Sequence, residues 1–263
     1  MDQLSPRQTE ILERARRVGR VDVEGLSVHF DVTPQTIRRD LNELCDDGYL
    51  NRFHGGAVYP AGVQNVAYQS RRQLAADEKQ RIGARAAKLI PDNSSIILNI
   101  GTTTEQVAHA LKGHDGLMVI TNNLNAANDL REAGSVEIII AGGVVRQSDG
   151  GIIGDATVDF MRQFKVDYAV IGASAIDNDG TILDFDFREV RVAQEIIRHA
   201  RRTILVSDTM KFERSAPIRI ANLSDIDIFV TDSPPPKAIV DICRHGDTRI
   251  EIAAPESREQ VPE

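Results

Sequence analysis

A chain of 263 residues, 41% hydrophobic, 27% charged and without Trp, has the composition of one large or two ordinary folded domains. Its net charge of −8 excludes a surface that is basic throughout, while leaving room for one local DNA-reading face. There is no apolar run near the roughly 18 residues of a membrane span and no signal-peptide core. Cys45 and Cys243 share no metal or redox spacing, and neither do the six His residues. The expectation is a reduced, cytoplasmic chain with no membrane partner, metal or cofactor.

Ser5-Pro6-Arg7-Gln8 reads as a helix start, with an N-cap, a first-turn proline and a capping-box Gln. Ile11, Leu12, Ala15 and Val18 continue the helix, and Gly19 is placed to close it. Asp22 caps a second helix carrying Val23, Leu26 and Phe30. A third begins at Thr33-Pro34 and ends near Asp46-Asp47-Gly48. With about 100° per residue, Leu41 and Leu44 fall within roughly 40° of Ile37 and form a narrow buried stripe. Gln35, Arg39 and Asn42 point the opposite way, with Thr36 and Arg38 on the flanks. Arg pairs bidentately with guanine and Gln or Asn with adenine, so this face suits a major groove as well as it suits solvent. Two extended runs follow, Tyr49 to Phe53 and Ala57 to Tyr59, hinged at His54-Gly55-Gly56. Three helices and a hairpin make a winged helix-turn-helix.

Eight arginines against ten acids leave residues 1–60 two charges negative. Positive charge therefore has to cluster at Arg38, Arg39, Arg52 and Arg20, and so few phosphate contacts make a weak binder alone. Joining several copies is the natural remedy. The expected DNA-binding residues are Thr33, Gln35, Thr36, Arg38, Arg39, Asn42, Arg52 and His54.

Residues 59–72, with Pro60, Gly62 and little periodicity, read as a linker. From Glu78 onward, apolar strand runs alternate with helices through about Ala253, which predicts a mostly parallel sheet covered on both faces. Ligands bind such sheets beyond the carboxyl ends of the strands. The loops expected there are Gly101-Thr102-Thr103-Thr104, Asn122-Asn123, Gly142-Gly143 and the stretch around Gly151. Hydroxyls, backbone amides and a helix N-terminus suit a phosphate, although Gly and Thr after a strand also serve as plain turn chemistry. Lys211 adds a cation past a later strand, and either contacts phosphate or is simply solvated. Asp184, Asp186, Arg188 and Glu189 either hold ligand hydroxyls or cap the helix that follows. The expected effector residues are the four loops, Asp184 and Lys211. The domains are then 1–58, DNA-binding; 59–72, linker; 73–253, sensor; and 254–263, a flexible tail. An enzyme remains the other reading, an isomerase of sugar phosphates with Asp184 or Asp186 as base and Lys211 as electrophile.

Thr36-Ile37-Arg38-Arg39-Asp40-Leu41, followed by Gly48 and Arg52-Phe53-His54-Gly55-Gly56-Ala57, resembles the DeoR family of transcriptional regulators. Glu78-Lys79, Gly101-Thr102-Thr103, Thr121-Asn122, Gly142-Gly143, Gly154 and Lys211-Phe212 extend the resemblance to the sensor domain of that family, similar in fold to ribose-5-phosphate isomerases and CoA transferases. The runs 32–44, 121–128, 149–157 and 184–191 resemble the glycerol-3-phosphate-responsive branch. The resemblance implies a repressor, not an enzyme, that binds double-stranded operator DNA as a homotetramer. It also implies release from the operator by a phosphorylated effector, glycerol 3-phosphate in that branch or another sugar phosphate elsewhere in the family.

Overall fold

Helix α1 (Pro6–Val18) opens on a reciprocal cap: the Gln8 amide donates to Ser5 Oγ at 3.2 Å and the Ser5 amide to Gln8 Oε1 at 2.8 Å. The computed structural model describes residues 4–18, 20–53, 55–59 and 68–255, so the roles expected of Gly19 and of the tail from residue 256 lie outside them. After β1 (Arg20–Asp22), the Asp22 carboxylate caps α2 (Val23–Phe30) by accepting the Gly25 amide at 2.6 Å. Helix α3 (Pro34–Asp46) starts as expected, with Thr33 Oγ1 accepting the Thr36 amide at 3.3 Å. Strands β2 (Asn51–Phe53) and β3 (Gly56–Val58) form the wing. It has a third strand absent from the sequence reading, because β1 pairs antiparallel with β3. Three residues are too few to show a period.

Ile37, Leu41 and Leu44 are fully buried, and pack with Ile11, Leu26, Tyr49 and Leu50 into one small core. Asp40 lies at the edge of that stripe and is buried too. Arg7 meets it with two hydrogen bonds, from Nε at 2.6 Å and Nη2 at 3.3 Å, tying α1 to α3. The linker expectation needs correcting at both ends. Tyr59 is buried in this core, and the chain is helical again in α4 (Tyr68–Gln73). Residues 60–67 lie outside the described set.

The second half starts with α5 (Ala76–Ala87), β4 (Ser95–Leu98), α6 (Thr102–Ala110), β5 (Leu117–Thr121), α7 (Leu124–Leu130) and β6 (Val136–Ile140). A short ribbon, β7 (Val144–Val145) with β8 (Ile152–Ile153), precedes α8 (Asp155–Met161) and β9 (Val166–Ile171). Strands β10 (Ala175–Ile176) and β11 (Thr181–Asp184) lead into α9 (Phe187–Arg198) and β12 (Ala200–Val206). The chain continues through β13 (Ile218–Asn222), β14 (Ile228–Thr231), α10 (Lys237–His245) and β15 (Arg249–Ile252).

Seven strands form one parallel sheet in the order β15-β14-β12-β9-β4-β5-β6, as the alternation predicts. Alternate side chains feed opposite layers. Ile96, Leu98, Ile204, Val206, Ile228 and Val230 pack with α5, α6 and α7. Ile97, Leu205 and Phe229 face the layer containing α8, α9 and α10. A separate antiparallel sheet, β10-β11-β13, places Asp184 at one strand end. None of its strands exceeds five residues, so the sequence pattern passes over it.

Gly83 marks the closest crossing in the sensor. A Cβ there would come within 2.6 Å of the Gln106 backbone, in α6. Alanine's better helix propensity is worth about 1 kcal/mol, less than the overpacking it would cause. Gly83→Ala is expected to lower sensor stability by up to about 2 kcal/mol net, read as a lower urea midpoint at unchanged slope.

Candidate functional site

The outer face of α3 is arranged as a groove-reading surface. Gln35, Arg38, Arg39 and Asn42 are all exposed, with Thr36 half-buried beside them. Arg39 Nε donates to Glu43 Oε1 at 2.9 Å, and Glu43 in turn accepts from Gln8 at 2.6 Å. Among the described residues Arg38 makes no ion pair, leaving its five donors for phosphate or bases. Thr33 spends its hydroxyl on the helix cap and on Thr36, which makes it a positioning residue first. Arg52, on the wing, is exposed and reaches the Gly56 carbonyl at 3.3 Å. His54 lies outside the described residues.

Because the sheet is parallel, the loops after β4, β5, β6, β9 and β12 gather at one edge, and there the chain collects cations. Lys211 is partly buried past β12. Burial, reinforced by Arg214, Lys79 and Arg71, lowers its ammonium to about 7 against the pull of Asp208. Lys79, in α5, is 3% exposed and is lowered by burial to about 8. Burial likewise depresses the buried Arg214. Asp208, 2% exposed, is the carboxylate they share, and its Oδ1 has no hydrogen-bond partner among the described residues. Further buried acceptors, Asn99 Oδ1 after β4 and Asn122 Oδ1 after β5, are also unpartnered among the described residues. Buried polar atoms normally find partners. This edge is therefore built to receive something that carries both negative charge and hydrogen-bond donors.

Beside the cations lies a pocket of about 480 Å³ lined by Arg71, Arg146, Asp149, Asp184, Asp186 and Glu189, among others. Arg146 organises it, donating to Asp149 at 2.8 and 2.7 Å, to Glu189 at 2.6 Å and to Asp186 at 3.1 Å. Burial works against the charge on Asp149, but Arg146 holds it below the ordinary range. Burial and the nearby Asp184 raise Glu189 to about 8, against the pull of Arg146. Asp186 caps α9, as one of the two readings had it, and also faces this pocket. Asp184 Oδ1 accepts the Phe185 amide at 2.6 Å. Arg188, exposed on α9, pairs with Asp186 at 3.0 Å.

Several of the expected ligand residues also make structural contacts. Thr104 Oγ1 donates to the Asn99 and Gly101 carbonyls at 2.8 and 2.7 Å, and so closes the loop before α6. Gly143 has a φ of 153°, and a Cβ there would strike Thr157 Oγ1 at 2.3 Å. Thr157 also donates to the Gly142 carbonyl at 3.0 Å, so this Gly-Gly pair seats α8. A Cβ on Gly151 would meet Ile100 at 2.5 Å. Asn123 caps α7, with its Oδ1 accepting from the Asn125 and Ala126 amides. Gly101, Thr102 and Thr103 stay at the sheet edge, both threonines buried.

Residues 7–62 match the DeoR-like helix-turn-helix domain, and residues 74–233 match the DeoR C terminal sensor domain. The chain belongs to the DeoR family. It is 43% identical to the glycerol-3-phosphate regulon repressor of Escherichia coli strain K12, over 94% of this chain and 98% of that one. It is 44% identical to the protein of the same name in Haemophilus influenzae, over 94% and 96%. In fold alone it is similar to ribose 5-phosphate isomerase A from Neisseria gonorrhoeae, at 11% identity, a TM-score of 0.38 and 54% coverage of each chain, too distant to bear on chemistry. The winged helix and these relatives make it a DNA-binding transcriptional repressor and set aside the isomerase reading. No helix among the described residues is long and apolar enough to cross a membrane.

Of the residues at this candidate site, Arg71, Arg146, Asp208 and Arg214 are not anticipated from sequence, and Lys79 enters there only through the family resemblance. Arg71 and Lys79 lie far in sequence from Lys211 and Arg146, and a lone Lys or Arg on a helix looks like a solvated face; Asp208 and Arg214 flank Lys211 within three residues but read as ordinary loop charges. One signal was available: Lys79 falls on the buried side of α5, beside Ile82, Gly83 and Ala86.

Proposed function

We propose that the chain represses genes of glycerol-3-phosphate metabolism and that glycerol 3-phosphate releases it from its operators. The carrying observation is the cationic edge formed by Lys79, Lys211 and Arg214 next to the carboxylate-rich pocket around Arg146. Phosphate pairs with the first, and hydroxyls hydrogen-bond to Asp186 and Glu189 in the second. Thr102 and Thr103, at the start of α6, supply hydroxyls near a helix N-terminus. In this reading Gln35, Arg39 and Asn42 read bases, while Thr36, Arg38, Arg52 and His54 hold the DNA backbone. The chain acts in the cytoplasm as a homo-oligomer, a tetramer, because one acidic module has too few phosphate contacts. The winged helix, with Tyr59 in its core, forms the DNA-binding domain, and α5 through β15 form the sensor.

The test is a fluorescence-anisotropy titration on a duplex that the protein selects from a randomised pool. Glycerol 3-phosphate should raise the operator Kd at least fivefold, and glycerol or inorganic phosphate should do far less. Release by a different sugar phosphate alone would overturn the ligand assignment. By linkage, operator DNA must weaken effector binding by the same factor.

A further inference from the structure

The interdomain helix α4 is wired into both halves of the protein. On the DNA-binding side, Tyr49 Oη donates to Gln73, and Leu74 packs on the core of the winged helix. On the sensor side, Tyr68 Oη donates to Glu105 at 2.9 Å and accepts from Asn125 Nδ2 at 2.9 Å. Lys79 Nζ donates to the carbonyls of Arg71 and Leu74. Between these ties, Arg71 turns into the pocket, its side chain only 16% exposed, and its Nη2 donates to Asp149 Oδ2 at 3.2 Å. Its Nε is buried and has no acceptor among the described residues. Its charge also reaches Lys211, Lys79, Arg214 and Glu189, which places it between the cationic edge and the acid pocket.

We propose that Arg71 is an effector-contacting residue, and that its transfer from Asp149 to the effector's anionic group carries occupancy to the DNA-binding domain. The inference rests on the effector reading above. Arginine grips a phosphate side-on through two parallel N–H bonds, from Nε and Nη2. Here Nε is unpaired, and Nη2 is held by a carboxylate that Arg146 already neutralises. An arriving dianion offers both donors a better partner and leaves Asp149 to Arg146. Arg71 belongs to a six-residue helix whose last residue, Gln73, and the Leu74 that follows it touch the winged helix, so recentring its guanidinium displaces that contact. Lys79 keeps its grip on the α4 carbonyls, since an ammonium has a third donor for the ligand. The effector thus acts by differential contact with two positions of α4, as any such shift requires.

The test uses the full chain, with glycerol 3-phosphate binding measured by calorimetry and operator Kd by anisotropy with and without saturating effector. Each variant is referred to its own effector-free operator Kd. Arg71→Gln should bind glycerol 3-phosphate at least tenfold more weakly, and its ratio of operator Kd values at saturation should fall below twofold. Arg71→Lys keeps the charge but lacks the fork, so it should lose the ratio as well; it decides the matter if the Gln variant is misfolded by circular dichroism. Lys211→Met should lose effector affinity while retaining the full ratio at saturation. A wild-type ratio in both Arg71 variants would overturn the proposal, as would wild-type effector affinity. If the wild-type chain itself takes up no glycerol 3-phosphate, the effector reading falls instead, a result visible before any variant is made.

Discussion

Replacing Lys211 with methionine should weaken glycerol 3-phosphate binding by about 10- to 150-fold, the range set by one charge-assisted hydrogen bond of roughly 1.5–3 kcal/mol. Methionine keeps the apolar stem, so the loss reports the charge. The pH dependence gives the same residue a second signature. Burial and the neighbouring cations lower Lys211 to about 7, so in the free protein it is half neutral at that pH. A phosphate dianion favours the charged form, so the pKa of Lys211 rises on binding and a proton is taken up. Affinity should therefore be greatest below pH 7 and fall as pH rises through it, by up to tenfold per unit. A phosphomonoester loses its second proton near pH 6, which bounds the optimum from below. Lys211→Met should remove the fall at 7 and leave the one set by Lys79, lowered to about 8. Calorimetry in buffers of different ionisation heat checks this directly. Proton release on binding, or a profile unchanged by the substitution, would remove Lys211 from the phosphate contact.

The sequence shows the fold more readily than the site, and the residues explain the difference. Strands such as Ser95–Leu98 and Ile228–Thr231 are apolar runs bounded by turns, and each declares itself locally. Helix starts at Ser5, Asp22, Thr33 and Asp186 are legible because capping takes place within three residues. The sheet edge was legible as a place, through its Gly, Thr and Asn loops. Its chemistry was not, since Arg71, Asp149 and Glu189 meet across 118 positions of chain in a pocket that only the crossovers create. Glycines carry two readings at once: Gly143 and Gly151 look like backbone opened to a ligand, and they also let α8 and Ile100 pack. Helix α4 was hidden for the opposite reason. Its six residues carry no apolar stripe, and polar and charged contacts with both domains hold it in place.

Leu41→Ala should produce the largest stability loss, and confine it to the DNA-binding half. Leu41 is fully buried on the apolar stripe of α3 and packs into the core of the winged helix. Truncating such a residue costs about 2–5 kcal/mol, part lost transfer energy and part residual cavity. A domain of this size holds only about 3–8 kcal/mol in all, at roughly 0.05–0.15 kcal/mol per residue. The winged helix should then melt about 10 °C or more below its wild-type temperature, and operator binding should disappear near physiological temperature. The sensor has its own two core layers, on either side of the parallel sheet, and shares no buried aliphatic cluster with Leu41. Calorimetric scans should therefore show the lower transition displaced and the upper one in place, still raised by glycerol 3-phosphate. If both transitions fell together, the contacts of α4 through Tyr49, Gln73 and Leu74 would bind the halves into a single cooperative unit. The effector would then act on the stability of the DNA-reading helix as well as on its position.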